Sequence, residues 1–118
     1  MTEQDNLGLD LYVEAVLDRK ALDVVVLDLR GLVSFADTFI ICSGRSHRQV
    51  SAIAESVEQD LKAKGIRSMG VEGLREGHWV LMDYGDIIIH IFYEPIRIFY
   101  DLEGLWSDAK RIEQSNLK

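Results

Sequence analysis

The residues best placed to do chemistry lie in the segment from Ser43 to Arg48. This segment joins a strand-forming run to a helix-forming run, and it contains Gly44, two serines and two arginines. Free amides at a helix start, the helix dipole and guanidinium groups can together hold a phosphate. Glycine and serine also suit any strand-to-helix turn, which is the favoured interpretation. A nucleotide-binding enzyme that uses this loop stays open as an alternative.

Carboxylates and imidazoles elsewhere do not form a catalytic pattern. Asp83 and Asp86 stand at opposite ends of a turn, so they are not predicted to share a magnesium ion. His78 and His90 lie on different arms of a predicted hairpin, and a histidine among isoleucines and phenylalanines is more often satisfied or partner-facing than a metal ligand. The sequence therefore predicts no enzyme activity, no metal site and no cofactor.

Cys42 is the single cysteine of the chain, and it lies within the apolar run TFIIC. One cysteine excludes an internal disulfide framework, which fits a reducing compartment. A buried small hydrophobe is favoured over a nucleophile. The acidic N-terminal segment resembles neither a secretory signal nor a transit peptide, and no apolar run reaches the length of a membrane span. We expect a cytoplasmic protein.

The balance of charge narrows the kind of partner. The 118 residues carry a formal net charge of -7, which argues against a domain that grips naked nucleic acid through its phosphates. An acidic surface instead favours a basic protein partner. The length predicts a single domain over residues 1–118, with an ordered core at about 5–109 and a frayed tail over 110–118.

The elements that position these residues follow from hydrophobic periodicity. An apolar stripe predicts a first helix, and two β-branched runs predict buried strands. Ser46 and Gln49 fit a capping box that starts a second helix, which Gly65 would end. The predicted elements are a helix around 9–17, strands at 23–29 and 38–42, a helix from 46 and an edge strand within 66–71.

The segment after residue 72 predicts a hairpin followed by short helices. Two strand-forming runs flank the turn from Asp83 to Asp86. Pro95 ends the second strand and starts a helical segment, and 107–116 is predicted as a polar terminal helix. The order of elements predicts an α/β fold with a small mixed β-sheet covered by helices.

Large aromatic side chains are unusually dense in this C-terminal segment. They are Trp79, Tyr84, Tyr93, Tyr100 and Trp106. We expect some of them to lie at the surface, where aromatic residues are typical binding anchors. The strand from Ile87 to Phe92 is apolar on both faces, so one face can meet the core and the other can form a contact surface or pair with a second copy of the chain.

Two segments, SFADTFIICSGRSHRQVSAIAESVEQDLK and EGLREGHWVLMDYGDIIIHIFYEPIRIFYDLEGLWSDA, resemble the ribosomal silencing factor family, also called the Iojap family. The likeness extends from about Leu9 to Ala109. It implies a nucleotidyltransferase-like fold without catalytic acids, since the run from Arg67 to Val71 lacks the Gly-Ser turn and paired acids of that enzyme signature. It also implies a protein that binds the large ribosomal subunit, sterically blocks joining of the small subunit and represses translation under nutrient limitation.

The resemblance further implies a partner and a set of contact residues. The partner would be the fourteenth protein of the large subunit, which is basic, with no direct nucleic-acid readout and no membrane contact. Members of the family have also been regarded as self-associating, so a homodimer of the free protein is an expectation. The positions that match the motif are Trp79, Asp83, Tyr84, His90, Glu94, Tyr100, Leu102 and Trp106.

Overall fold

The structure is a computed structural model that describes the backbone of residues 3–112 and the side chains of residues 8–112. The helices are α1 (Glu3–Leu17), α2 (His47–Ala63), α3 (Glu94–Tyr100) and α4 (Leu102–Leu105). The strands are β1 (Leu22–Asp28), β2 (Thr38–Gly44), β3 (Gly70–Glu72), β4 (Trp79–Asp83), β5 (Ile87–Tyr93) and β6 (Lys110–Arg111).

Within the described residues the strands form one sheet in the order β3-β4-β5-β2-β1-β6. The central pair, β2 and β5, is parallel, and Ile41 lies opposite His90 in its register. The other pairings are antiparallel. This register places β5, the second arm of the hairpin, against β2. All seven residues of β2 are buried.

The boundaries of α2 have clear local causes. The amide of Gln49 donates to Oγ of Ser46 at 3.0 Å, so Ser46 is the N-cap, as predicted. The side chain of Gln49 accepts from the amide of Arg45 at 2.6 Å, one residue before the cap, where the capping box predicted the cap itself. Beyond the helix, Gly65 has a φ of +83°, a left-handed conformation that favours glycine.

Two apolar layers lie on opposite faces of the sheet. The larger layer joins α1 and α2 to the sheet through residues such as Val13, Val57 and Met82. The smaller layer lies on the other face, around Phe39, Phe92 and Leu102. The short helices α3 and α4 cover this second face only in part, which leaves apolar side chains at its surface.

The fold class predicted from the sequence, a mixed α/β sheet covered by helices, is confirmed. The terminal helix predicted over 107–116 is wrong for its described part. Lys110 and Arg111 instead pair with Asp28 and Leu27 as an edge strand, and the rest of that segment lies outside the described residues. The polar composition suggested a helix, whereas pairing with the edge of β1 decided the conformation.

Candidate functional site

A chain of aromatic rings crosses the second face of the sheet. Ring centroids lie 6.3 Å apart for Phe35 and Phe39, 4.5 Å for Phe39 and His90, and 5.9 Å for His90 and Trp79. The series of rings continues from Trp79 through Tyr100 to Phe99. Trp106 branches from it, with its ring centroid 6.1 Å from that of Phe39. We call this surface the aromatic face; its residues are Phe35, Phe39, Trp79, Leu81, His90, Phe99, Tyr100 and Trp106.

The two ends of the aromatic face are open to solvent. Phe35 is 58% exposed, Phe99 79% and Tyr100 52%. Contiguous exposed apolar side chains with polar neighbours are typical of interaction surfaces, because isolated domains gain nothing from leaving such side chains in water.

At the centre of the aromatic face, Trp79 is bonded to His90. Trp79 stacks on buried Phe92, with centroids 4.7 Å apart, and its indole N–H donates to Nδ1 of His90 over 3.1 Å. A neutral imidazole has one donor and one acceptor nitrogen. Because Nδ1 accepts, the proton of the neutral ring is on Nε2.

His90 lies deep in this layer, with 3% of its surface exposed. Burial lowers the pKa of its imidazole from 6.5 to about 4, because the charged form loses its hydration. His90 is therefore neutral at physiological pH. Among the described residues, its Nε2 is a buried atom with no hydrogen-bond partner.

Carboxylates flank the aromatic face. At the end that carries Phe35, Asp37 is exposed, and its backbone amide donates to the carbonyl of Asp86 at 2.7 Å, which holds Asp37 beside the hairpin turn. Asp83 ends β4, and its Oδ1 accepts from the amide of Gly85 at 2.8 Å. Beside the branch, Asp108 is exposed two residues after Trp106. This arrangement suits a positively charged partner.

The structure brings together some of the residues predicted as partner contacts. Trp79, His90, Tyr100 and Trp106 all belong to the aromatic face. Leu102 is 8% exposed and lies in the apolar layer beneath them, so it supports the surface from below.

Two other predicted contacts, Tyr84 and Glu94, lie apart from this group. Tyr84 lies on the opposite side of the sheet, where its ring contacts Tyr12 of α1 at 5.3 Å. Burial and the nearby Glu58 raise the pKa of Tyr84 to about 12. Asp83 occupies the turn end of β4, and Glu94 lines a separate polar cavity.

Several exposed residues were missed by the sequence analysis. Phe35 and Phe99 belong to the aromatic face. Ile98 of α3 is 81% exposed and Leu105 of α4 is 74% exposed. The signal was present in the apolar spacing of these helices, which is too dense for one buried stripe. The two helices are too short to bury every apolar side chain that they carry.

Both serines of the loop from Ser43 to Arg48 make side-chain bonds within the chain. Oγ of Ser43 accepts from Nη1 of Arg97 at 2.7 Å, and Ser43 is 1% exposed. The side chains of Ser46 and Gln49 accept the capping hydrogen bonds described above. Cys42 is fully buried, and burial raises the pKa of its thiol to about 12, so the reactive thiolate is disfavoured.

A polar cavity of about 740 Å³ lies between α3 and β1, and Asp23, Glu94, Arg97 and Arg111 are among its lining residues. Arg97 makes a two-pronged contact with Glu103, at 3.2 and 3.0 Å. No group of three or more metal-ligating side chains occurs among residues whose side chains are described. None of the helices in the described part of the chain is long and apolar enough to cross a membrane.

This small mixed α/β domain has an aromatic face that is partly exposed and has carboxylates beside it. Such a surface is typical of a protein-binding module. Comparison with known proteins defines the family. Residues 3–118 match the family described as "Ribosomal silencing factor during starvation". This chain belongs to that family, which confirms the resemblance recognised in the sequence.

Individual relatives agree with this assignment. The chain is 43% identical over 105 residues to the ribosomal silencing factor RsfS of Halalkalibacterium halodurans, and the match covers 89% of this chain and 90% of that protein. It is 36% identical to the chloroplastic protein Iojap of Arabidopsis thaliana, over 81% of this chain and 40% of that one. A crystal structure of a Chromobacterium violaceum protein matches with a TM-score of 0.82 and 39% identity, over 91% of this chain and 88% of that chain.

Proposed function

We propose that this protein binds the large ribosomal subunit through the basic fourteenth protein of that subunit. A bound domain would occupy the surface where the small subunit docks, so joining would fail and translation would be repressed under nutrient limitation. The mechanism is steric and requires no catalysis or cofactor. Since its target is the ribosome, we place its action in the cytoplasm. Membership of the silencing-factor family supports this proposal.

The observation that carries the proposal is the half-open aromatic face. At its centre Trp79 stacks on buried Phe92, and at its ends Phe35 and Phe99 are exposed. The central ring is therefore already fixed in position and partly removed from water before a partner binds. Rigid aromatic anchors of this kind supply most of the binding energy in many protein interfaces. The flanking carboxylates, including Asp37 and Asp108, favour a basic partner over RNA phosphates.

The proposal is tested by sedimentation of purified ribosomal subunits in sucrose gradients with the protein added. We expect the natural chain to move with the large subunit and to reduce the fraction of joined particles. The Phe35→Ala, Tyr100→Ala double variant should bind about 10- to 100-fold more weakly, as expected when interface anchors are truncated. Both side chains are more than half exposed, so their loss should leave the fold intact.

Met69→Ala is the matched control. Met69 is apolar and 77% exposed, and it does not belong to the aromatic face. This variant should bind and silence like the natural chain. If the natural chain stays at the top of the gradient, the proposed function fails. If the double variant binds as well as Met69→Ala, the large subunit is the partner but the aromatic face does not bind it.

Self-association is a second candidate, favoured by Ile98, Phe99 and Leu105, which are 81%, 79% and 74% exposed on neighbouring helices. An apolar patch of this kind can pair with the same patch of a second copy. Sedimentation velocity over a concentration series should then show a monomer–dimer equilibrium. Replacing Ile98 and Leu105 by serine should shift it to monomer, whereas Met69→Ser should not.

A further inference from the structure

The imidazole of His90 holds a buried hydrogen-bond donor that the fold leaves unused. Nδ1 accepts from Trp79, which fixes the proton of the neutral ring on Nε2. Nε2 is buried and has no partner within the described part of the chain. Buried polar groups are rarely left unpaired in native structures, because each loses its hydration without a compensating bond.

The side chains around His90 cover its unpaired donor in the free protein. Its ring contacts Phe39 at 4.5 Å, and Phe39 contacts Phe35 and Trp106, both of which reach the surface. Leu81, opposite His90 in β4, is half-buried. Side chains therefore close the site over the imidazole, and side-chain rotation is the commonest change when partners dock.

We propose that Nε2–H of His90 is the specificity-determining donor of the aromatic face and that it bonds an uncharged carbonyl oxygen of the bound partner. This inference rests on the proposed function, since it assigns an atomic contact to the same surface. The acceptor is uncharged because the imidazole is buried among the rings of Phe39 and Trp79, where a carboxylate would lose its hydration. A partner that offers a carbonyl gains a bond that the free protein lacks, and one that offers only apolar groups does not.

A matched pair of substitutions separates the two nitrogens. The amide of glutamine in His90→Gln reaches the position of Nε2 and keeps a donor there. The carbonyl of asparagine in His90→Asn reaches the position of Nδ1 and keeps the acceptor for Trp79, but it provides no donor at Nε2. The pair therefore tests whether His90 acts on the partner directly or only by orienting Trp79.

Binding of each variant to purified large subunits is measured by gradient co-sedimentation across a range of concentrations. We expect His90→Gln to bind within about threefold of the natural chain and His90→Asn to bind about tenfold more weakly, the loss expected for one buried hydrogen bond. Equal binding by the two variants, equal loss in both, or stronger binding by His90→Asn overturns the proposal. Urea unfolding of each variant confirms that it is folded at the assay temperature.

A measurement on the natural chain covers the case in which a variant does not fold. With ¹⁵N-labelled histidine, NMR reports the Nε2 proton of His90 before and after addition of the purified fourteenth protein of the large subunit. We expect this proton to move downfield and to be protected from exchange with water on binding. An unchanged signal in a complex that has formed overturns the inference, whereas absence of any binding by the natural chain counts against the proposed function.

Discussion

Nη1 of Arg97 donates to Oγ of Ser43 over 2.7 Å, and this bond joins α3 to the end of β2 across 54 residues of sequence. Arg97 also pairs with Glu103 of α4, with side-chain exposures of 11% and 19% for the two residues. One guanidinium group therefore holds both short helices against the sheet. Because Tyr100 ends α3 and Trp106 directly follows α4, the same contacts position these two residues of the aromatic face.

The substitution Arg97→Met should lower the free energy of unfolding by about 2–3 kcal/mol, because it leaves the carboxylate of Glu103 without its partner in a largely buried place. Urea denaturation followed by tryptophan fluorescence measures this change. Arg48→Met is the control, since Arg48 is exposed on the first turn of α2. Similar losses in both variants would contradict the bridging role of Arg97.

The loop between β3 and β4 depends on a glycine that packs against α2. Gly77 has a φ of +68°, and a Cβ there would collide with the carbonyl oxygen of His47. Gly77→Ala should therefore destabilise the protein by about 2 kcal/mol or more through backbone strain and overlap. Gly70→Ala is the matched control, because a Cβ at Gly70 meets nothing within 4 Å. Thermal unfolding followed by circular dichroism compares them, and equal melting temperatures would contradict this assignment.

Stability should depend on pH through His90. Its pKa is about 4 in the folded protein, against 6.5 for an ordinary histidine, so the unfolded chain binds a proton more readily than the folded one. The contribution of the neutral imidazole to the free energy of unfolding is fully present above pH 6.5. It is lost as the pH falls from 6.5 to about 4. The total loss is roughly 3 kcal/mol, since each pKa unit corresponds to about 1.4 kcal/mol.

Urea unfolding at several pH values measures this dependence, and His90→Gln removes the titrating group. The difference in unfolding free energy between the natural chain and the variant should change between pH 6.5 and 4.5 and stay constant above pH 7. Asp28 acts in a different window. Its hydrogen bond from Arg30 holds the pKa of its carboxyl below 3.8, so its contribution is lost only at lower pH. A constant difference down to pH 4.5 would show that the imidazole is not buried.

Local patterns allowed much of the fold to be predicted from the sequence. The cap at Ser46 and the left-handed Gly65 depend on neighbours within one turn, so α2 was predicted with correct ends. The short strand β6 was missed, because Lys110 and Arg111 have no strand signal of their own. Their conformation depends on pairing with β1, which is distant in sequence.

The aromatic face was predicted only in part, for a related reason. Strand alternation separates Trp79 from Val80 correctly, but alternation ends at a turn and does not state where Tyr84 points. Tyr84 packs on α1 through Tyr12, a contact between distant segments. The contact of Phe39 with His90 likewise depends on the parallel register of β2 and β5, which no local pattern specifies.

The carboxylates beside the aromatic face should steer the partner. Asp37 follows the segment that carries Phe35, Asp108 follows Trp106, and both are exposed. The Asp37→Asn, Asp108→Asn double variant should associate with large subunits several-fold more slowly at low salt, because local charge raises the encounter rate with a basic surface. Its dissociation rate should change little, since exposed charges at the edge of an interface contribute little once the complex has formed.

A charge-matched control separates local steering from net charge. Glu14 and Glu55 are exposed on α1 and α2, which cover the opposite side of the sheet, so the Glu14→Gln, Glu55→Gln variant loses the same two charges elsewhere. Stopped-flow binding at increasing salt should show slow association only for the variant at the aromatic face. The difference should vanish at about 0.5 M salt, where screening is nearly complete beyond a few ångströms. Equal slowing in the two variants would mean that net charge alone guides the encounter, and the carboxylates beside the rings would have no special role.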